Sequence, residues 1–290
     1  MPARNLNINQ ELPHPFILSR PEGFYLTGTD SVKGESDKFD LFFSQDLANW
    51  NKQEKILILP DYSGSDKGSF RAPEIVPIRN KFCLYYTADS NGDPEHCFVR
   101  AAVSELLKGP YHDIGILTDS PSFHGHAFSN ADGSSYLIYS GNEGSSFKGK
   151  LAIEKFTNPN RLDGSPLILF PEESNEWEEV GFTYKYKESI LLFSNIKSGS
   201  DNEMRVSIAS KNNLSFKRIM NGNIPFNPRQ GSAKSLKHGP ISIFRTANRE
   251  PYICCHLWDD IKKGMFPCIA PLRFKNDMPI IELAGNEASD

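Results

Sequence analysis

The sequence predicts an all-β protein folded as a five-bladed β-propeller. Two observations carry that expectation. Short apolar and aromatic runs recur along the whole chain, broken by clusters of Gly, Asn, Asp, Ser and Pro, while helical periodicity is scarce. The runs also fall into five units. The small or proline residue opening each unit stands at Pro15, Pro73, Gly125, Gly181 and Gly239, at separations of 58, 52, 56 and 58. Units of nearly equal length, each with three or four short strands, describe propeller blades. A β-sandwich, the rival architecture, requires no such period. We expect a single domain over residues 1–290, with blades starting near residues 14, 72, 124, 179 and 238.

The elements follow in order. The first unit opens at His14-Pro15-Phe16, turns at Arg20-Pro21-Glu22-Gly23 and continues through Phe24–Thr29 and Phe39–Ser44. The second runs from Arg71-Ala72-Pro73-Glu74 through Phe82–Ala88 and Cys97–Ser104. The third opens at His124-Gly125-His126, turns at Ala131–Ser134 and resumes at Tyr136–Gly141. The fourth starts at Glu179 and includes Ser189–Ser194 and Met204–Ser210. The fifth opens at His238-Gly239-Pro240 and returns at Pro251–Trp258.

Bulk properties narrow the function classes. The 290 residues are 38% hydrophobic and 11% aromatic, enough for a sizeable core. The net charge is −4 and no basic tract occurs, which argues against nucleic acid as a partner. No apolar run approaches the roughly 18 residues that span a bilayer, so no membrane partner is expected. The first ten residues lack an apolar signal-peptide core, which points to the cytoplasm. Five cysteines, an odd number with no C-x-x-C pair, fit buried, inert thiols in a reduced compartment.

The propeller plan places chemistry. The first strand of each blade lies innermost, so the blade openings converge on the axis although they are distant in sequence. The converging set is His14, the Ala72-Pro73-Glu74 corner, His124 with His126, Glu179 and His238. Four of the seven histidines are in it. Glu176, Glu178 and Glu179 read equally as three solvated loop charges, since Glu is mostly exposed. Trp177 is a candidate sugar platform or a residue packed between blades four and five. Arg71 pairs with Glu74 or reaches the pocket. Asp30 could bind a hydroxyl near the inner rim or cap a turn. His96, His112 and His256 lie away from the blade openings and read as surface or structural residues.

Several motifs resemble glycoside hydrolase family 43 and its relatives, the five-bladed-propeller glycosidases. Phe43–Trp50 is similar to that family's first-blade Ser-x-Asp-Leu-x-x-Trp, and Arg71–Ile75 to its second-blade Ala-Pro-Glu. Val103-Ser104 with Gly109-Pro110-Tyr111, and Ala270–Phe274 with Asp277-Met278-Pro279, resemble later segments of the same family. The resemblance runs from about His14 to Pro279 and implies carbohydrate as the partner and glycosidic-bond hydrolysis as the reaction. It implies three carboxylates: an Asp base opening blade one, an Asp opening blade three that tunes the acid and orients the sugar, and a Glu acid opening blade four. Glu179 aligns with the acid, 14 residues before Phe193. The chain departs at the other two positions, with His14-Pro15 and His124-Gly125 where Asp-Pro is expected. His238-Gly239 resembles a fifth-blade histidine that sits beside an ion or water in the axial channel.

Three readings follow. In a hydrolase with an altered catalytic set, Glu179 is the acid, His14 the replacement base and His124 a positioning group, with Trp177, Arg71, Glu74, His126 and Asp30 around the sugar. In a metal site, His14, His124 and His238 supply nitrogen donors for a divalent ion in the channel, whose bound water replaces the base. In the third, catalysis is lost and the propeller binds a glycan.

Overall fold

Each predicted unit forms one antiparallel run of short strands in a computed structural model that describes residues 4–29, 38–59, 70–90, 93–173, 176–198, 201–220, 238–259 and 261–281. Blade one is the meander Phe16–Arg20, Gly23–Gly28 and Lys38–Ser44, in register at Phe16↔Thr27 and Phe24↔Ser44. Blade two is Arg71–Ile78, Lys81–Ser90, Asp93–Ser104 and Tyr111–Ile116. Blade three is Ser122–Ser129, Ser135–Gly141 and Leu151–Asn158, edged by Leu167–Ile168. Blade four is Trp177–Tyr186, Ser189–Ser198, Asp201–Ser210 and Asn213–Met220. Blade five is Ser242–Arg245, Pro251–Asp259 and Gly264–Lys275.

Two connections tie the blades together. Ile56–Leu59 pairs antiparallel with the outer strand of blade one and parallel with Tyr111–Ile116 of blade two, so those blades share one sheet. Arg4–Asn5 adds to the outside of blade five, with Arg4↔Ile269 and Asn5↔Cys268, and closes the ring. Leu6, Ile8 and Leu12 then pack with Leu26, Tyr252 and Ile269 in the seam between blades five and one.

The period-2 geometry of a strand explains why so many runs are apolar on both faces. In Lys81–Ser90, Leu84 and Tyr86 face the blade-one side with Phe39 and Leu41. The alternate residues Cys83 and Tyr85 face blade three with Leu137 and Tyr139. Five apolar clusters among the described residues fill the five seams in this way. The five cysteines are unbridged and buried, four of them in these clusters. Burial pushes the Cys83 and Cys97 thiols up to about 11, which makes them poor nucleophiles.

The Ser44–Trp50 motif has a local structural cause. The Asp46 carboxylate accepts the Ala48 and Asn49 N–H groups at 2.8 Å, and the Trp50 indole donates to Leu47 O at 3.1 Å. These bonds to the charged form hold the Asp46 carboxyl well below its usual range. Blade five opens later than its sequence unit. His238 makes only an isolated bridge to Leu257, and the inner strand begins at Ser242 because Pro240 has no N–H for the ladder.

Candidate functional site

The blade openings are not regular strand. His14, Ala72 and His124 have φ of 49°, 48° and 52°, in the left-handed region that non-glycine residues seldom enter. Register shifts interrupt the inner strands between Arg71 and Glu74, Phe123 and His126, and Val180 and Phe182. Such bulges re-aim side chains, here toward the axis. Each left-handed residue costs roughly 1–3 kcal/mol unless its surroundings determine it.

The surroundings do so by one repeated device. The Ala72 N–H donates to Thr29 Oγ1 at 3.0 Å, the His124 N–H to Thr87 Oγ1 at 2.9 Å and the Val180 N–H to Ser140 Oγ at 2.9 Å. Each acceptor belongs to the second strand of the preceding blade or the residue just after it. The His14 N–H completes the pattern by donating to His256 Nδ1 at 3.0 Å. His256 therefore stands where the other blades use a hydroxyl. It is buried beside the site, although its sequence position separates it from the blade openings.

The rings of His14 and His124 lie 4.4 Å apart, and His256 is 5.3 Å from His14. His124 Nδ1 is 3.8 Å from Glu179 Oε2, too far for a hydrogen bond, and has no hydrogen-bond partner among the described residues. The sequence-predicted trio His14, His124 and Glu179 is thus brought together as a row. His14 Nδ1 is 2.9 Å from Thr29 Oγ1, which leaves its Nε2 as the remaining polar atom.

The electrostatics follow from burial. Desolvation, then the nearby Arg71, His256 and Lys197 charges, lowers the His124 imidazole to about 3. Desolvation followed by the His124, Arg71 and Lys197 charges puts His14 well below the usual histidine range, and desolvation does the same to His256. The three rings are neutral near pH 7. Desolvation raises the Glu179 carboxyl, opposed only by Lys197. The four groups share one cause, a low-dielectric site that disfavours every charged form.

The acidic trio is not a solvated loop. Glu178 points away from Glu179 and is buried against Arg218 at 2.6 Å and Ser194 at 2.5 Å. Glu176 pairs with Arg205 at 2.6 Å. Strand alternation leaves Trp177 and Glu179 on the opposite face from Glu178. Trp177 stacks on Phe123 at 5.4 Å, bridging blades three and four rather than four and five.

Deeper in the channel, Glu74 and His126 are engaged with each other. His126 Nδ1 is 2.8 Å from Glu74 Oε2, and its Nε2 is 2.8 Å from Thr183 Oγ1. The Ala127 N–H donates to the other Glu74 oxygen at 3.2 Å. Both side chains are buried, and they bridge blades two, three and four beneath the row of His14, His124 and Glu179. The intervening cavity, lined by His14, Glu74, His124, Gly181 and Pro240 among others, gives water centres about 50 Å³, room for a few molecules.

Of the expected ligand trio, His14 and His124 are in ring contact, and His238 neighbours His256. His256 is the neighbouring group of both His14 and His238, and His238 Nδ1 lies 3.2 Å from Gly239 O. Among the described residues, no three His, Cys, Asp or Glu side chains are placed to hold one metal ion. Asp30 lies outside the described residues. Arg71 is partly exposed, and its charge bears on His14 and His124.

Gly239 explains its own identity. A Cβ there would lie 1.7 Å from His256 Cε1. Gly239→Ala is expected to push His256 off the His14 N–H and to destabilise the fold by about 1–3 kcal/mol, read from urea unfolding.

Three residues near the row escaped the sequence reading. Asn195 pairs with Glu179 across the hairpin, and its Nδ2 is buried without a partner. Lys197 stands opposite Trp177 in the same hairpin. His256 is the third. The hydroxyls that set the backbone carried a usable signal, since Thr29, Thr87 and Ser140 keep the blade period with separations of 58 and 53.

Comparison with known proteins agrees with this architecture. A thermostable family-43 glycoside hydrolase superposes with a TM-score of 0.79 at 16% identity, covering 100% of this chain and 98% of that one. The endo-arabinase from Bacteroides thetaiotaomicron VPI-5482 gives 0.74 at 15% identity, covering 95% and 99%. The GH43 beta 1,3 galactosidase BT3683 gives 0.74 at 16% identity, covering 97% and 98%. At these identities the likeness speaks to the fold alone. A search of the curated proteins finds no match. The sequence of residues 3–279 matches the family described as glycosyl hydrolases family 43. With nearly the whole chain inside that match, the protein belongs to glycosyl hydrolases family 43.

Proposed function

We propose that the protein hydrolyses a glycosidic bond in an oligo- or polysaccharide with an altered catalytic set. Glu179 is the general acid, His14 takes the place of the Asp base, and His124, where the second Asp is expected, positions the sugar. The observation that carries this reading is the state of Glu179. It is a largely buried carboxyl beside the His14–His124 pair, and its protonated form is favoured by desolvation, as an acid requires. A cationic imidazole beside it would undo this, but His124 is held neutral by burial. The contacts in series keep the His14 ring within roughly 10 Å of the Glu179 carboxyl, the order of separation that admits a water in inverting hydrolysis.

The test is a panel of aryl pentosides, hexosides and uronides. Turnover of at least one is expected, with Glu179→Gln lowering kcat by about 10²–10⁴-fold. Glu179→Gln activity equal to the parent's would sink the acid assignment. A second reading, a glycan-binding propeller without catalysis, is favoured by one observation. Burial makes His14 a weak base. Binding of glycans with no turnover on any member of the panel selects it.

A further inference from the structure

We infer that the sugar taken by this pocket carries a carboxylate, as a uronic acid does, and that Arg71 and Lys197 select it. The inference rests on the carbohydrate reading above and names the substrate class of the same site.

The backbone of Arg71 runs beside the anchors of both imidazoles. It pairs with Thr87, whose hydroxyl holds the His124 N–H. The next residue, Ala72, donates to the Thr29 hydroxyl that also meets the His14 ring. Lys197 enters from the other side. It is paired opposite Trp177, two residues beyond Asn195, which is itself opposite Glu179. The Arg71 charge acts on both imidazoles, and the Lys197 charge acts on both and on Glu179. Neither cation makes a hydrogen bond or ion pair among the described residues.

Three of the nearby acids are engaged by other partners. Glu74 is taken by His126, Glu178 by Arg218 and Glu176 by Arg205. Asp89, buried within blade two, opposes the effect of Arg71 on the Cys97 thiol. Glu179 is biased toward its neutral form. The Arg71 and Lys197 charges thus both reach a largely buried row of neutral groups, where an anion gains more than it would in water. An arginine fork matches a carboxylate in shape as well as charge.

A second observation points to a ligand. Asn195 Nδ2 and His124 Nδ1 are buried polar atoms without partners, on either side of Glu179. Each such atom carries an uncompensated desolvation cost until something bonds it. Oxygens of a bound sugar acid would satisfy the Asn195 donor and the imidazole. A neutral pentose or hexose would leave the two cations unanswered.

The test is calorimetric binding near neutral pH of methyl glucuronide and methyl galacturonide against methyl glucoside and methyl galactoside, with a methyl glucoside 6-sulfate as a second anion. Uronides are expected to bind at least about tenfold tighter than their neutral counterparts, a preference that shrinks as sodium chloride is raised. Lys197→Gln, at an exposed position that tolerates the change, and Arg71→Gln should each remove several-fold of that preference. Neutral glycosides binding as tightly as uronides would overturn the inference and leave the carbohydrate reading intact. Tight binding of the sulfate ester without the uronides would overturn the carboxylate assignment. A uronide preference unmoved by either variant would overturn the roles of Arg71 and Lys197. Failure of all five ligands to bind would count against both the inference and the carbohydrate reading.

Discussion

Lowering the pH from 7 to 4.5 is expected to strip the fold of much of its stability through the three buried imidazoles. The unfolded chain titrates its histidines near 6.5, whereas His124 in the fold holds out to about 3. Below pH 6.5 the unfolded state takes up a proton that the folded state refuses, so stability falls continuously toward the folded value. At pH 4.5 this amounts to about 2–3 kcal/mol for His124 alone. His14 and His256 act in the same direction, since both are depressed by burial and each is opposed by a neighbouring imidazole. Glu179 works the other way. Its raised carboxyl keeps a proton that the unfolded chain releases above 4.5, so its contribution is lost as pH rises from there through its folded value. Three groups against one leave a net loss on acidification, within a total stability typically of about 5–15 kcal/mol. Urea unfolding at several pH values should show His124→Asn with a shallower dependence between pH 6.5 and 4.5. An unchanged slope would place the titration elsewhere.

Arg218→Met is expected to destabilise the protein by about 3–5 kcal/mol, because it abandons a buried anion. The Arg218 guanidinium bonds Glu178 at 2.6 Å and Glu173 at 2.7 Å, reaches Ser207 Oγ at 3.0 Å and lies over the Phe170 ring at 3.5 Å. Without it, Glu178 keeps Ser194 and loses its cation. Arg218→Met combined with Glu178→Met should recover much of the loss, since an apolar replacement of the whole pair carries no stranded charge. Because Glu178 turned inward is what leaves Glu179 facing the pocket, the single variant should also weaken glycan binding. Denaturant midpoints of the two variants decide the first point, and calorimetric titration the second. A single variant as stable as the parent would rule out the buried pair as a structural tie.

The blade period was legible because every blade repeats one physical requirement, an inner strand opened by a small residue or proline near the axis. Pro15, Pro73, Gly125 and Gly181 show it plainly. His14, His124 and Glu179 were legible as a set for the same reason. What could not be read was the direction of individual side chains. Glu74 and His126 sit at a blade opening like His124, yet they meet each other across a blade seam. Their spacing in sequence carries no trace of that contact. His256 was hidden because it arrives from a second strand, and Asn195 and Lys197 because only hairpin register brings them beside Glu179 and Trp177. Glu178 and Glu179 are neighbours in sequence with opposite fates, decided by an arginine about 40 residues later.

Completion of blade five by Arg4–Asn5 also bears on how the molecule forms in time. The edge contacts Arg4↔Ile269 and Asn5↔Cys268 join strands more than 260 residues apart, so they meet only after the blades between them have been made. In an unstructured chain a closure of that span carries an entropy penalty of roughly 5 kcal/mol. Folded blades between the ends act as stiff spacers that shorten the search. Until the ends meet, the outer strand of blade five presents an open edge to any strand that can pair with it. This long-range pairing is therefore a late kinetic gate, and the step at which a half-made ring is most exposed to association with its own copies.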